Sequence, residues 1–185
     1  RSGKWDGHHR FLERPSNRCY TGLLPMVRRA LEEAGYRGWN EVDNRACPAA
    51  IPGMAYRGPA LRPYQAQIDK DMRAGGRGIV RAATGSGKTV IAAAVIGALQ
   101  RPTLFLVHRK ELADQSRTFF QESLTVPVGL IAEGEWDVEA PVVVAMIQSL
   151  FAAWKDRPKA VERYLATIGV VIADEAHRAS SNSWE

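Results

Sequence analysis

Two short stretches carry residue types able to act on a phosphate. The first is Ala82-Ala83-Thr84-Gly85-Ser86-Gly87-Lys88-Thr89, which fits the phosphate-loop pattern GxxxxGK[ST] except that Ala82 stands at the first glycine position. Glycines in such a loop let backbone N–H groups turn inward and cradle phosphate oxygens at the positive end of the following helix. Lys88 would neutralise the β- and γ-phosphates, and the Thr89 hydroxyl would ligate Mg²⁺. The second stretch, VVIADEAH, ends an apolar run in Asp174 and Glu175, 85 positions beyond Thr89. Asp174 would hold the metal, through water, and Glu175 would be the general base that orients an attacking water. A lone acidic pair after a strand is commonly just a helix N-cap. Paired with a phosphate loop, it becomes specific.

Both stretches need a scaffold that brings a loop and a strand end together. RGIVRA (77–82) reads as a short strand feeding the loop, and TVIAAAVIGALQ as the helix after it. TLFLV (103–107), VPVGLIA (126–132), PVVVAM (141–146) and the run into DEAH read as further strands. KELADQSRTFFQESL and a stretch through Leu150 to Leu165 read as the helices between them. Near-continuous apolar strands alternating with helices predict a doubly wound α/β fold, a parallel sheet with helices on both faces. Its ligand belongs at the carboxyl ends of the strands.

Residues 61–185 form this predicted domain. Residues 47–60, CPAAIPGMAYRGPA, hold three prolines and two glycines and read as a linker or an ordered extended connection. Before them, residues 1–46 read as a small α+β module. HHRFLE and NRCYTG flank the turn-rich RPSN as a hairpin, and a helix follows with Leu23, Val27, Leu31 and Ala34 at helical spacing. Gly35 stands at its C-cap, and a short strand is expected from Tyr36 to Val42.

Composition narrows the class. The chain is 45% hydrophobic and 24% charged, as in globular proteins. No apolar run could cross a bilayer and no secretory h-region is visible, so a cytoplasmic location is expected and no membrane partner. The missing initiator Met suggests a chain cut from something longer. Cys19 and Cys47 read as reduced thiols, and His8 and His9 as surface residues facing opposite sides of a strand. Of 25 Lys/Arg and 20 Asp/Glu, ten and six fall in residues 1–60, which leaves fifteen and fourteen beyond. The first third is the better candidate for a polyanion surface, although a solvated basic face explains the charge equally well.

GSGKT followed by DEAH resembles the superfamily 2 helicases and translocases, whose motor lobes are RecA-like. Further segments agree. LRPYQAQ (61–67) resembles their adenine-reading Q motif, with Gln65 on the adenine edge and Arg62 packed against the base. TLFLVHRKELADQ (103–115) resembles the motif whose Arg109 would meet a nucleic-acid phosphate. VVVAMIQSL (142–150) resembles a strand-borne contact motif with Gln148 and Ser149 facing the nucleic-acid strand, while His177 would couple nucleotide state to the nucleic-acid side. His108 and Met146 depart from the commoner residues at their positions, and Met146 in place of Thr weakens the backbone contact expected there.

KWDGHHRFLERPSNRCYTGLLPMVRRALEEAGY resembles the front module of phage UvsW-type and XPB-like DNA repair helicases. The resemblance implies DNA, whether duplex, branched or single-stranded, as a partner of Lys4, Arg10, Arg14 and Arg18. Trp5 and Tyr20 read equally well as core aromatics. The cofactors implied are ATP and Mg²⁺. The resemblance also implies a second RecA-like lobe carrying an arginine finger. Residues 1–185 would then hold only an incomplete first lobe, binding ATP but hydrolysing it hardly at all. The alternatives are a non-catalytic nucleic-acid-binding fragment, a restriction-endonuclease motor subunit and an RNA helicase.

Overall fold

The computed structural model describes residues 24–38 and 48–176, and the chain divides into two compact units, Arg1–Arg45 and Ala46–Glu185. The expected hairpin, Lys4, Arg10, Arg14, Arg18, both cysteines and His177 lie outside the described residues.

In the first unit, helix α1 spans Leu24–Glu33. It ends in a reciprocal pair of backbone bonds, Gly35 N–H to the Glu32 carbonyl (3.1 Å) and Tyr36 N–H to that of Leu31 (2.9 Å). This Schellman closure satisfies carbonyls that the last turn would otherwise orphan. Residues 36–38 are not a strand, and the rest of the strand expected there lies outside the described residues.

The second unit is built on a five-stranded sheet of order β3-β2-β4-β1-β5. The strands are β1 (Thr103–Val107), β2 (Val128–Ala132), β3 (Glu135–Trp136), β4 (Val142–Met146) and β5 (Val170–Ala173). β1 runs parallel to both β4 and β5, and β2 runs parallel to β4. Only the short β3 is antiparallel, to β2. Around the sheet stand α2 (Pro63–Gly75), α3 (Lys88–Leu99), α4 (Lys110–Ser123), α5 (Ile147–Asp156) and α6 (Pro158–Leu165). The result is the expected RecA-like α/β fold.

The side-chain alternation of the strands divides the core in two. Phe105 and Val107 of β1, with Val142 and Val144 of β4, join Ala93, Ile96, Ala113 and Phe120 of α3 and α4 on one face. Leu104, Val143 and Ala145 face the other way, toward Ile131 and Tyr164, with Leu150 and Leu165 packed alongside. Phe105 and Phe120 meet edge to face, centroids 4.9 Å apart, the arrangement favoured by aromatic quadrupoles. α3 is apolar all round, and its residues Ile91 to Gly97 are all buried, as a helix covered on every side must be. Gly97 is required there, because an added Cβ would strike the backbone of Tyr56.

That contact shows where residues 48–60 run. Ile51 N–H bonds the Gln100 carbonyl (2.8 Å), Arg57 N–H bonds that of Ser123 (2.8 Å), and Met54 is fully buried against α3 and α4. Arg101 donates to the Pro48 carbonyl.

Two expectations are corrected. Residues 77–82 form no strand: Ile79 is 94% exposed, and no described strand lies beside them to complete a ladder. Strand-forming residue types are not enough, because extended backbone becomes a strand only when a neighbour takes its hydrogen bonds. The stretch expected as one helix through Leu150 to Leu165 is two, α5 and α6. Arg157 leaves helical geometry (φ −137°, ψ 60°) before Pro158, whose ring disfavours a helical residue ahead of it.

Candidate nucleotide and nucleic-acid site

Strand register puts the chemistry on one rim. Val107 is level with Met146 and Leu106 with Ala173, so the parallel strands β4, β1 and β5 end side by side. From those ends the chain continues into Gln148 and Ser149, into His108 and Arg109, and into Asp174 and Glu175. This is the carboxyl edge where open parallel sheets hold ligands.

At the β5 end the phosphate loop meets the acidic pair. Lys88 Nζ lies 3.9 Å from Glu175 Oε1, with both side chains about one-third exposed (30% and 32%). Lys88 also folds back toward the Ala83 carbonyl at 3.4 Å. Gly85 and Gly87 take φ of 78° and 79°, the left-handed region that turns a loop's amides inward. Thr84 and Gly85 are exposed, whereas Ser86, Gly87, Lys88 and Thr89 are half-buried. Asp174 is tied in twice: its N–H bonds the Leu106 carbonyl (2.9 Å), and its Oδ1 accepts the Glu175 N–H (3.0 Å). Glu175 itself holds a φ of 53°, a strained value for a residue with a side chain.

The expected cofactors can be checked against these groups. The Ser86 hydroxyl is buried without a hydrogen-bond partner among the described residues, a spare donor inside the loop. No cluster of three or more metal-binding side chains occurs among the described residues. Mg²⁺ takes one or two protein oxygens beside substrate phosphates and keeps its waters. Thr89 and Asp174 fit this demand.

Helix α2 was not evident from the sequence, and it carries the expected adenine-reading residues. Its signals were present: Pro63 at the first position, Gln65 at the third and Gly76 past the end. Gln65 Oε1 accepts the Arg62 N–H (2.9 Å), half of a capping box. Its amide nitrogen donates to the Ser86 carbonyl (3.0 Å), so Gln65 joins the helix cap to the phosphate loop. Gln65 is only 4% exposed, while Arg62 is exposed. A side-chain amide has two donors and two lone pairs, so Gln65 keeps one donor and one lone pair beyond these two bonds. Gly87 packs so tightly here that a Cβ on it would sit 2.6 Å from Gln65 Nε2.

In the middle of the rim, Arg109 is exposed at the N-terminus of α4. Met146 is half-buried against the α3–α4 core, and His108 Nδ1 is buried without a partner among the described residues. At the β2 end the setting is different. Ser149 Oγ accepts the Glu133 N–H (3.1 Å), and Gln148 is exposed on the first turn of α5. Both residues line a cleft of about 450 Å³ shared with Glu133, Glu135, Trp136 and Asp156. Arg157 covers the Trp136 ring at 4.6 Å. Behind it, burial raises the pKa of the Tyr164 phenol. Nothing in the motif spacing pointed to this acidic lining, which the fold assembles from β3, α5 and their flanking turns.

Residues 58–185 match the family described as "Type III restriction enzyme, res subunit" (ResIII). The chain belongs to this family of superfamily 2 helicases. Membership implies nucleoside-triphosphate hydrolysis in full-length relatives, with ATP, a divalent metal and a nucleic-acid partner. A protein of Acanthamoeba polyphaga mimivirus, named as an ATP-dependent RNA helicase, is 30% identical over 150 residues, which are 78% of this chain and 27% of that protein. The endonuclease subunit of a type I restriction enzyme from Staphylococcus aureus (strain COL) is 31% identical over 136 residues, 65% of this chain and 15% of the subunit. The chain thus spans about a quarter or less of these relatives. Among solved structures, the UvsW helicase from Bacteriophage T4 shares the fold at a TM-score of 0.56 with 15% identity, covering 94% of this chain and 85% of that one. No described helix is long and apolar enough to cross a membrane.

Proposed function

We propose that the chain is the nucleotide-binding first lobe of an ATP-driven DNA motor, residues 61–185, preceded by a DNA-binding module in residues 1–46. The observation that carries this reading is the 3.9 Å approach of Lys88 to Glu175, on the same strand rim as Arg109. One loop and one strand end meet there with a lysine, a threonine hydroxyl and two carboxylates, the set that phosphoryl transfer to water requires.

In this reading Lys88 leaves Glu175 and the Ala83 carbonyl to take the β- and γ-phosphates. Glu175 is thereby released to accept a proton from the attacking water. Thr89 and Asp174 would hold Mg²⁺, which supplies charge neutralisation between the phosphates. Gln65 and Arg62 would read and cover the adenine, His177 would pass the nucleotide state onward, and Arg109 with Gln148 and Ser149 would grip the strand. Lys4, Arg10, Arg14 and Arg18 would add phosphate contacts from the front module. An arginine from outside residues 1–185 would complete the site, a contribution of about 10³–10⁵ in rate.

The mimivirus relative favours a second reading, an RNA motor, because a lobe that grips a phosphate backbone distinguishes the 2′-hydroxyl poorly. The restriction-subunit relatives favour a third, the motor of a restriction enzyme. The test is competition binding of the chain to matched DNA and RNA duplexes, forks and single strands, with and without ATP–Mg²⁺. Preferred binding to a DNA duplex or fork supports the proposal, and preference for RNA replaces it with the second reading.

A further inference from the structure

Two neighbouring side chains on the first turn of α2 hold the same phosphate-loop atom. Tyr64 Oη donates to the Ser86 carbonyl at 2.6 Å, and Gln65 Nε2 donates to it at 3.0 Å. A carbonyl oxygen has two lone pairs, so these donors occupy its whole capacity. The peptide unit is planar and trans, so the N–H of Gly87 points opposite to that carbonyl. Pinning the oxygen toward α2 therefore holds the Gly87 N–H on the opposite side, away from α2. A flipped Ser86–Gly87 peptide would present a partial negative charge to an incoming phosphate instead.

Packing does not account for the tyrosine. Tyr64 is 42% exposed, whereas Gln65 is buried and also tied to the Arg62 N–H. The phenol's defined contact is with the loop, and removing its oxygen leaves the core unchanged. We propose that Tyr64 is a positioning residue for phosphate binding, its hydroxyl fixing the Ser86–Gly87 peptide in the anion-accepting orientation. This inference rests on the nucleotide-site reading above and adds a base-independent determinant to it.

The test is displacement of a fluorescent ATP from the 185-residue chain by ATP and by inorganic tripolyphosphate, each with Mg²⁺. It compares the unaltered chain with Tyr64→Phe and Lys88→Ala, and ligand-free thermal unfolding is recorded alongside. Tyr64→Phe is expected to weaken both ligands by the same factor, about 3- to 10-fold, the range of one neutral hydrogen bond, with a cooperative unfolding transition retained and its midpoint only slightly lowered. Unaltered affinity in Tyr64→Phe overturns the inference. So does a loss confined to ATP, which would make Tyr64 a base contact, or a tripolyphosphate that fails to displace ATP from the unaltered chain. If Lys88→Ala binds both ligands normally, the nucleotide-site reading itself fails. If Lys88→Ala abolishes binding while Tyr64→Phe does not weaken it, only the role of Tyr64 fails.

Discussion

The two ends of the strand rim differ in how their charges are paired and in how they are assembled. At the β5 end, a lysine and a carboxylate face each other across 3.9 Å, and glycines leave backbone amides open to an anion. At the β2 end, Glu133, Glu135 and Asp156 border a cleft whose arginine is already stacked on Trp136. The first end offers Lys88 and the loop glycines to an anion, whereas at the second Lys110 is paired with Glu133 (3.9 Å) and Arg117 with Glu135 (3.2 Å). Gln148 and Ser149 are the neutral polar groups of the β2 end. Arg109 stands between the two ends. The two ends thus differ in which cations they leave to a ligand.

Four substitutions break or sharpen this contrast, in decreasing order of effect. Lys88→Ala removes the cation of the anionic-ligand end, and ATP affinity should fall about 10- to 150-fold by equilibrium titration, the range of hydrogen bonds to charged groups. Gly87→Ala forces a side chain into a φ of 79° and against Gln65, and should cost roughly 1–3 kcal/mol of stability in denaturant unfolding, with weaker ATP binding besides. Arg109→Ala should weaken DNA binding uniformly across sequences and lower the slope of log affinity against log salt by about 1, with ATP affinity intact. Ser149→Ala, at the acidic end, should cost about 1 kcal/mol of stability through the lost Glu133 bond, leaving ATP affinity and salt slope unchanged. A Ser149→Ala variant that loses ATP binding would erase the distinction between the ends.

The same contrast explains what the sequence made legible. GSGKT and DEAH stood out as a pair because phosphate chemistry would demand such residue types, and the fold brings Lys88 within 3.9 Å of Glu175. Strands β1 and β4 were readable because their apolar runs are buried on both faces. The acidic cleft was not, since Glu133, Trp136, Gln148 and Arg157 converge only once β2, β3 and α5 are folded. Residues 77–82 misled for a related reason: Ile79 and Val80 favour a strand, but a ladder needs a partner that no local pattern specifies. Helix α2 was less legible because it buries Gln65 and Asp69 rather than an apolar stripe, although Pro63 and Gly76 punctuate it clearly. Even so, Gln65 serves the helix cap and the phosphate loop as well as any base, which its motif alone did not reveal.

The central claim is that the nucleotide at one end of the rim controls the grip on nucleic acid beside it. Its most direct test is the DNA affinity of the chain measured with and without ATP–Mg²⁺, in the unaltered protein and in Lys88→Ala. The account predicts that ATP changes the affinity and that Lys88→Ala abolishes the change without altering nucleotide-free DNA binding. DNA binding indifferent to ATP, or an ATP effect that survives in Lys88→Ala, would contradict it.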